Sequence, residues 1–179
     1  MNLDPADLQA RARRIRLLAL DVDGVLTDGR IHYDSAGHET KSFSILDGLG
    51  LKLVRRAGIR VAVITARRSP MVDRRVQELG IDLCLQGRED KLEALRELLV
   101  AEGIALDEVA YMGDDLPDLR AILAVGLGMC PANASSEVAA RASWRSLARG
   151  GDGAVREACE MLLRARGQWD EQLAPYLPR

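Results

Sequence analysis

Aromatic residues are scarce in this chain: two Trp, three Tyr and one Phe among 179 residues, 3% of the whole. The core must therefore come mainly from aliphatic side chains, which supply most of a 47% hydrophobic fraction. Aliphatic runs alternating with charged helices favour an α/β protein over a β-sandwich. No apolar run approaches the length of a membrane span, and no N-terminal stretch has a signal-peptide pattern. Excess charge of one sign is missing too. A formal net charge of -2 gives no long-range pull toward nucleic acid or an anionic membrane. The three cysteines, Cys84, Cys130 and Cys159, form no CxxC pair, and Cys84 and Cys130 sit in apolar runs where a reduced thiol packs as a small hydrophobe. No GxxxxGK[ST] sequence occurs, which argues against a P-loop kinase. The expectation is a cytoplasmic protein with a small-molecule substrate and no nucleic-acid or membrane partner.

The chain then reads as strand and helix in alternation. Asp4-Pro5 opens a helix through about Arg14, whose Arg11, Arg13, Arg14 and Arg16 read as a solvated face. Ile15 to Leu20 is an apolar strand ending in Asp21-Val22-Asp23-Gly24. Arg30 to Asp34 and Glu39 to Ser44 alternate around Ser35-Ala36-Gly37, a hairpin signal. Asp47 is expected to cap a helix stopped by Gly58, and Arg60 to Thr65 is a second strand. Ser69-Pro70 opens a helix closed by Gly80, followed by a strand from Ile81 to Gln86 and a helix from about Glu89 to Glu102. Val109 to Met112 is a fourth strand ending in Gly113-Asp114-Asp115, and a helix through Leu119 and Ala124 leads to a short fifth strand at Leu127 to Cys130. A last helix spans Ala154 to Arg166, and the tail from about 167 to 179 looks irregular. The whole, 1–179, is expected to be one domain with a Rossmann-like parallel sheet flanked by helices.

In such sheets ligands sit beyond the carboxyl ends of the strands, and the chemically interesting residues fall there. Asp21 and Asp23 follow the first strand, and Gly24 permits a sharp exit. Thr65 ends the second strand with a hydroxyl. Lys91 lies near a helix N-terminus, where cation and dipole together favour a phosphate. Asp114, Asp115 and Asp118 follow the fourth strand and suit a hard cation. Alone, an acidic pair is often a cap and a lysine on a charged helix is usually solvated. Four successive strand ends supplying an acid pair, a hydroxyl, a cation and an acid cluster make chance a poor explanation.

This set resembles the haloacid dehalogenase superfamily: Asp21-Val22-Asp23-Gly24-Val25-Leu26-Thr27-Asp28-Gly29, then Thr65, Lys91, and Gly113-Asp114-Asp115-x-x-Asp118. The resemblance implies a magnesium-dependent phosphatase with Asp21 as nucleophile and Asp23 as general acid and base. It implies Mg²⁺ on Asp21, the Asp23 backbone carbonyl and Asp114, with Thr65 and Lys91 on the phosphoryl oxygens. Asp115 and Asp118 are expected to orient Lys91 or metal-bound water.

The spacings leave room for a flap hairpin at about 28–46 but for no cap domain. A capless chain with this flap is similar to the phosphatases of 3-deoxy-D-manno-octulosonate 8-phosphate, a step in making lipopolysaccharide precursors. Phe43, Asp47-Gly48-x-Gly50, Thr65-x-Arg67, Arg75, Gln86-Gly87 and Gly150-Gly151-x-Gly153-Ala154-Val155-Arg156 match as well. The likeness implies a homotetramer whose neighbouring subunits close the site, and substrate contacts from Arg67 and Arg75. Arginine at 67 suits a sugar carboxylate, whereas relatives acting on a nine-carbon keto-sugar acid phosphate tend to carry glutamate there. Ala66, Leu46 and Asn133 depart from the usual pattern. The rival readings are a phosphatase for that nine-carbon substrate and a non-catalytic oligomerisation module; the intact acid, hydroxyl and lysine set argues against the latter.

Overall fold

A computed structural model describes residues 4–178. Asp4 caps the first helix, α1 (Pro5–Arg14), by accepting from the N–H groups of Ala6 and Asp7. The basic residues of this segment do more than face solvent: Arg13 donates to Ala165 O, and Arg14 and Arg16 pair with Asp107 and Glu108.

β1 (Leu17–Leu20) is followed by a two-stranded flap, β2 (His32–Tyr33) and β3 (Glu39–Thr40). Its ladder is shorter than the alternation predicts, because Asp34 diverts the chain into a turn by accepting from Ala36 N and His38 N. α2 (Ile45–Arg56), β4 (Arg60–Thr65), α3 (Pro70–Leu79), β5 (Leu83–Gln86) and α4 (Lys91–Glu102) follow. Then come β6 (Val109–Met112), α5 (Leu119–Ala124), β7 (Leu127–Cys130), α6 (Ser136–Ala139), β8 (Trp144–Arg145), α7 (Ala154–Ala165) and α8 (Trp169–Leu173).

The main sheet is parallel throughout, in the order β5-β4-β1-β6-β7-β8. Leu18 and Leu20 of β1 face a core shared with α2 and α7, while Leu17 and Ala19 face a second core shared with α4 and α5. Apolar residues are therefore needed at every position of the central strand, which is why it reads as a continuous run.

Several local expectations change. Ser44, not Asp47, caps α2, accepting from Asp47 N at 3.3 Å. The buried Asp47 carboxylate instead accepts from Arg156 N at 2.8 Å, holding the start of α7 against α2. A sixth strand, β8, was not expected; its two residues are too few to carry a period. The irregular tail contains α8 and a 3-10 turn at Ala174–Tyr176, pinned by Trp169 beneath the Arg156 and Arg164 guanidinium groups. Arg179, the end of that tail, lies outside the described residues. No helix among them is long and apolar enough to cross a membrane, and the loops between successive strands hold the flap but no cap domain.

Candidate active site

The sheet order reverses at β1: the chain builds β4 and β5 on one side and β6 to β8 on the other. The crevice at such a reversal is where a parallel sheet binds ligands. Asp21 stands at that point, its N–H donating to Met112 O at 3.0 Å so that the sheet continues to the site's edge. Val22 O then accepts from the N–H groups of Val25, Leu26 and Thr27, folding the next residues into a tight loop. Gly24 takes φ 91° within it, and a Cβ there would collide with the Asp114 carboxylate. Glycine is thus what lets the loop and Asp114 approach.

Asp118 organises the interior. Only 1% exposed, its Oδ1 accepts from Lys91 Nζ at 2.6 Å and Tyr111 Oη at 2.8 Å. Its Oδ2 accepts from the backbone N–H of Asp114 at 3.1 Å and of Asp115 at 3.3 Å. With both oxygens engaged twice, this carboxylate is committed to holding its neighbours. Lys91 Nζ lies 2.9 Å from Asp21 Oδ2, so one ammonium is shared by Asp21 and Asp118.

Asp21, Asp114 and Asp118 can bring carboxylate oxygens within 4.8 Å of one another. Burial, and then the charge of Asp118, push both Asp21 and Asp114 up to about 7. Burial alone would lower Lys91, but Asp21 and Asp118 outweigh it and raise the ammonium. In an isolated ion pair the carboxylate would fall; here three acids crowd one cation, and burial plus mutual repulsion win. The donor set is all oxygen, with Asp21 and Asp118 buried and Asp114 half-buried, and short of positive charge, as a hard divalent cation requires.

Thr65 ends β4 buried, and its Oγ1 accepts from Arg67 N at 3.3 Å. Arg67 reaches toward the flap: Nη2 donates to Glu39 Oε2 at 2.9 Å, and Nε lies 3.8 Å from Asp23 Oδ2. Asp23 is also paired with Lys41 of the flap, whose Nζ lies 3.2 Å from Glu39 Oε1 as well. The structure brings Asp21, Lys91, Asp114 and Asp118 together, turns Asp23 toward Lys41 and Arg67, and sets Thr65 and Arg67 at the adjoining strand end. It does not bring Arg75 there. That guanidinium donates to Ser44 O at 2.9 Å and stands over the Phe43 ring, at the root of the flap. Asp115 is exposed. His32 and His38 are exposed on the flap and pair with Asp28 and Asp34.

Four further residues hold the site together without a role that the sequence pattern assigns them. Tyr111 lies within an apolar strand, where a buried phenol signals a partner. Glu39 and Lys41 share a face of the hairpin at a spacing of two, a signal that points to one target. Asn133 joins the Asp21 loop to a distant turn, with Nδ2 donating to Gly24 O at 3.3 Å and Oδ1 accepting from Gly150 N at 2.6 Å. A groove of about 540 Å³ lined by Leu8, Trp144 and Met161 holds none of these site residues.

Known proteins resemble this chain in sequence and in fold. Residues 85–156 match the family model of haloacid dehalogenase-like hydrolases. The 3-deoxy-D-manno-octulosonate 8-phosphate phosphatase of Escherichia coli is 45% identical over 166 residues, 93% of this chain and 88% of that protein. The Moraxella catarrhalis phosphatase of the same name, solved with magnesium ion, phosphate ion and KDO, superposes with a TM-score of 0.95 at 45% identity, covering 97% of this chain and 99% of that one. The cobalt-bound Haemophilus influenzae phosphatase gives 0.86 at 40% identity, covering 89% and 93%. A parallel sheet with this acidic switch point and no cap is the frame of a haloacid dehalogenase-like hydrolase. Within that class the chain belongs to the family of 3-deoxy-D-manno-octulosonate 8-phosphate phosphatases.

Proposed function

We propose that this protein, acting as one domain in the cytoplasm, hydrolyses 3-deoxy-D-manno-octulosonate 8-phosphate to the free sugar acid and inorganic phosphate, supplying lipopolysaccharide precursors. The observation that carries the chemistry is Asp21 at the sheet's switch point, 2.9 Å from the buried ammonium of Lys91 and beside Asp114. Asp21 attacks phosphorus in line, the phosphorus–oxygen ester bond breaks, and an aspartyl-phosphate forms. Asp23 gives its proton to the departing sugar oxygen, then takes one from the water that cleaves the intermediate. Thr65 and Lys91 bind the phosphoryl oxygens, while Asp118 positions Lys91 and the Asp114-Asp115 backbone. Asp21, the Asp23 carbonyl and Asp114 would hold Mg²⁺, which supplies the charge neutralisation that lets an anionic nucleophile meet a phosphate. Asp118 is left out of that set because its four hydrogen bonds already occupy it. Asp115, facing solvent, is suited to orienting water.

Arg67 supports the sugar-acid reading over the nine-carbon alternative: it presents a guanidinium at the pocket mouth where a carboxylate can dock. Arg75 serves this reading through the flap root, not by touching substrate. Phosphate release from the eight-carbon and nine-carbon sugar acid phosphates, with Mg²⁺ and with chelator, tests the proposal. Faster turnover of the nine-carbon substrate, or activity indifferent to chelation, would contradict it.

The chain also works as a homo-oligomer, a tetramer by its likeness to the family. Ile31, Tyr33, Ile45 and Leu46, on and beside the flap, are 49%, 65%, 85% and 59% exposed, an apolar surface that suits a contact with another copy. The flap reaches Asp23 of its own chain, so a neighbour's part is to back the flap rather than donate it. Sedimentation at assay concentration checks this; a fully active monomer would refute it.

A further inference from the structure

We propose that Glu39 is a specificity-determining residue: its carboxylate is the resident occupant of the Arg67 site, and the carboxylate of the sugar acid displaces it. The inference rests on the reading of Arg67 as the carboxylate grip. Glu39 lies on β3 opposite Tyr33, and its two oxygens meet two cations, Arg67 at 2.9 Å and Lys41 at 3.2 Å. Both cations also face Asp23. The corner at the mouth of the site thus contains two carboxylates and two cations, and is neutral without substrate. Burial alone would raise Glu39, yet Lys41 and Arg67 outweigh it and hold the carboxyl below its ordinary value.

An arriving sugar acid brings one more carboxylate. If it joined the corner, three carboxylates would crowd two cations within a few ångströms, an arrangement like charges oppose. If it replaces Glu39 on Arg67, neutrality is kept. Glu39 is able to leave. Its side chain is 20% exposed and that of Arg67 41%, so water reaches the pair from the Arg67 side and screens it. The flap that carries it is a ladder of two residues per strand, which is marginal alone. Lys41 stays behind: its side chain is 2% exposed and it keeps Asp23 as partner. A sugar phosphate without a carboxylate has nothing to offer Arg67 in exchange, so the resident glutamate remains and such a ligand gains no contact there. The flap carboxylate acts as a competitor that only a ligand of its own chemistry can remove.

The test is Glu39→Gln, which keeps shape and removes charge. The ratio of kcat/KM for the sugar acid phosphate to that for p-nitrophenyl phosphate should rise roughly threefold to tenfold, mainly through KM. The free sugar acid, used as an inhibitor of p-nitrophenyl phosphate hydrolysis, should bind tighter by the same factor. An unchanged or lower ratio overturns the inference, as does an equal change on both substrates, which would mean that Glu39 merely holds the flap down. Arg67→Ala tests the underlying reading separately, since equal losses on both substrates would remove the carboxylate role of Arg67 itself. With Arg67→Ala selective, the double variant should show no further effect of Glu39→Gln; a persisting effect also overturns the proposal.

Discussion

Two clusters of four charges lie side by side in this site, and they are built on opposite plans. The inner one, Asp21, Asp114, Asp118 and Lys91, sets three carboxylates against one ammonium in a buried place. The outer one, Asp23, Glu39, Lys41 and Arg67, balances two against two at the mouth. A deficit of two positive charges deep in the protein favours a divalent cation strongly and discourages anything else from staying. A balanced cluster whose Arg67 side meets water suits an exchange of partners there, while Lys41 stays buried. In the proposed reaction the inner plan holds the nucleophile, and the outer plan joins the acid-base carboxylate of Asp23 to the groups that choose the substrate.

The most severe way to break the inner plan is Asp21→Asn. Turnover should fall by at least about 10³-fold, because an amide cannot form the acyl-phosphate. The same variant relieves crowding, so its melting temperature in chelator at pH 8 should rise above that of the parent. Near-native phosphate release would sink the nucleophile assignment. Next in size is Asp118→Ala, which leaves the Tyr111 hydroxyl buried without its partner and Lys91 with Asp21 alone. A loss of about 1–3 kcal/mol in urea unfolding is expected, and no loss at all would show that Asp118 organises little.

The outer plan is sharpened by Arg67→Glu. A like charge then faces the sugar carboxylate, and kcat/KM for the sugar acid phosphate should drop at least about tenfold more than for p-nitrophenyl phosphate. The smallest effect concerns pH. The Asp21 and Asp114 carboxyls are pushed up to about 7 in the folded protein, above their ordinary value of 3.8. The folded metal-free chain therefore binds more protons than the unfolded one between those limits, and its stability falls as pH rises through about 7. Magnesium competes with those protons, so the rise in melting temperature on adding it should grow from pH 5 to pH 8. A gain independent of pH would contradict the crowding.

The inner cluster was legible in the sequence because each member follows a strand end within a compact motif. The positions of Asp21, Lys91, Asp114 and Asp118 beyond the strand ends follow from the sequence pattern, and so does the parallel sheet. The outer cluster was only half visible. Arg67 stands two residues from Thr65, but Glu39 and Lys41 sit in a hairpin whose docking no local pattern reveals. Arg75 was expected near substrate on family likeness; Phe43 and the Ser44 carbonyl hold it elsewhere. Asp47 looked like a cap and is one, but for α7, about a hundred residues along the chain, rather than for its own helix. Short-range signals identify what a residue can do; partners distant in sequence decide for whom it does it.

The tie between Asn133, Gly150 and the Asp21 loop has a consequence for synthesis. Gly150 sits so close to Gly24 O that a Cβ would collide with it, and Gly151 N donates to Val25 O at 2.9 Å. The loop that carries the nucleophile is thus roofed by residues translated more than a hundred codons later. A nascent chain halted before that turn already contains every motif of the inner cluster, yet lacks the backbone that fixes its geometry.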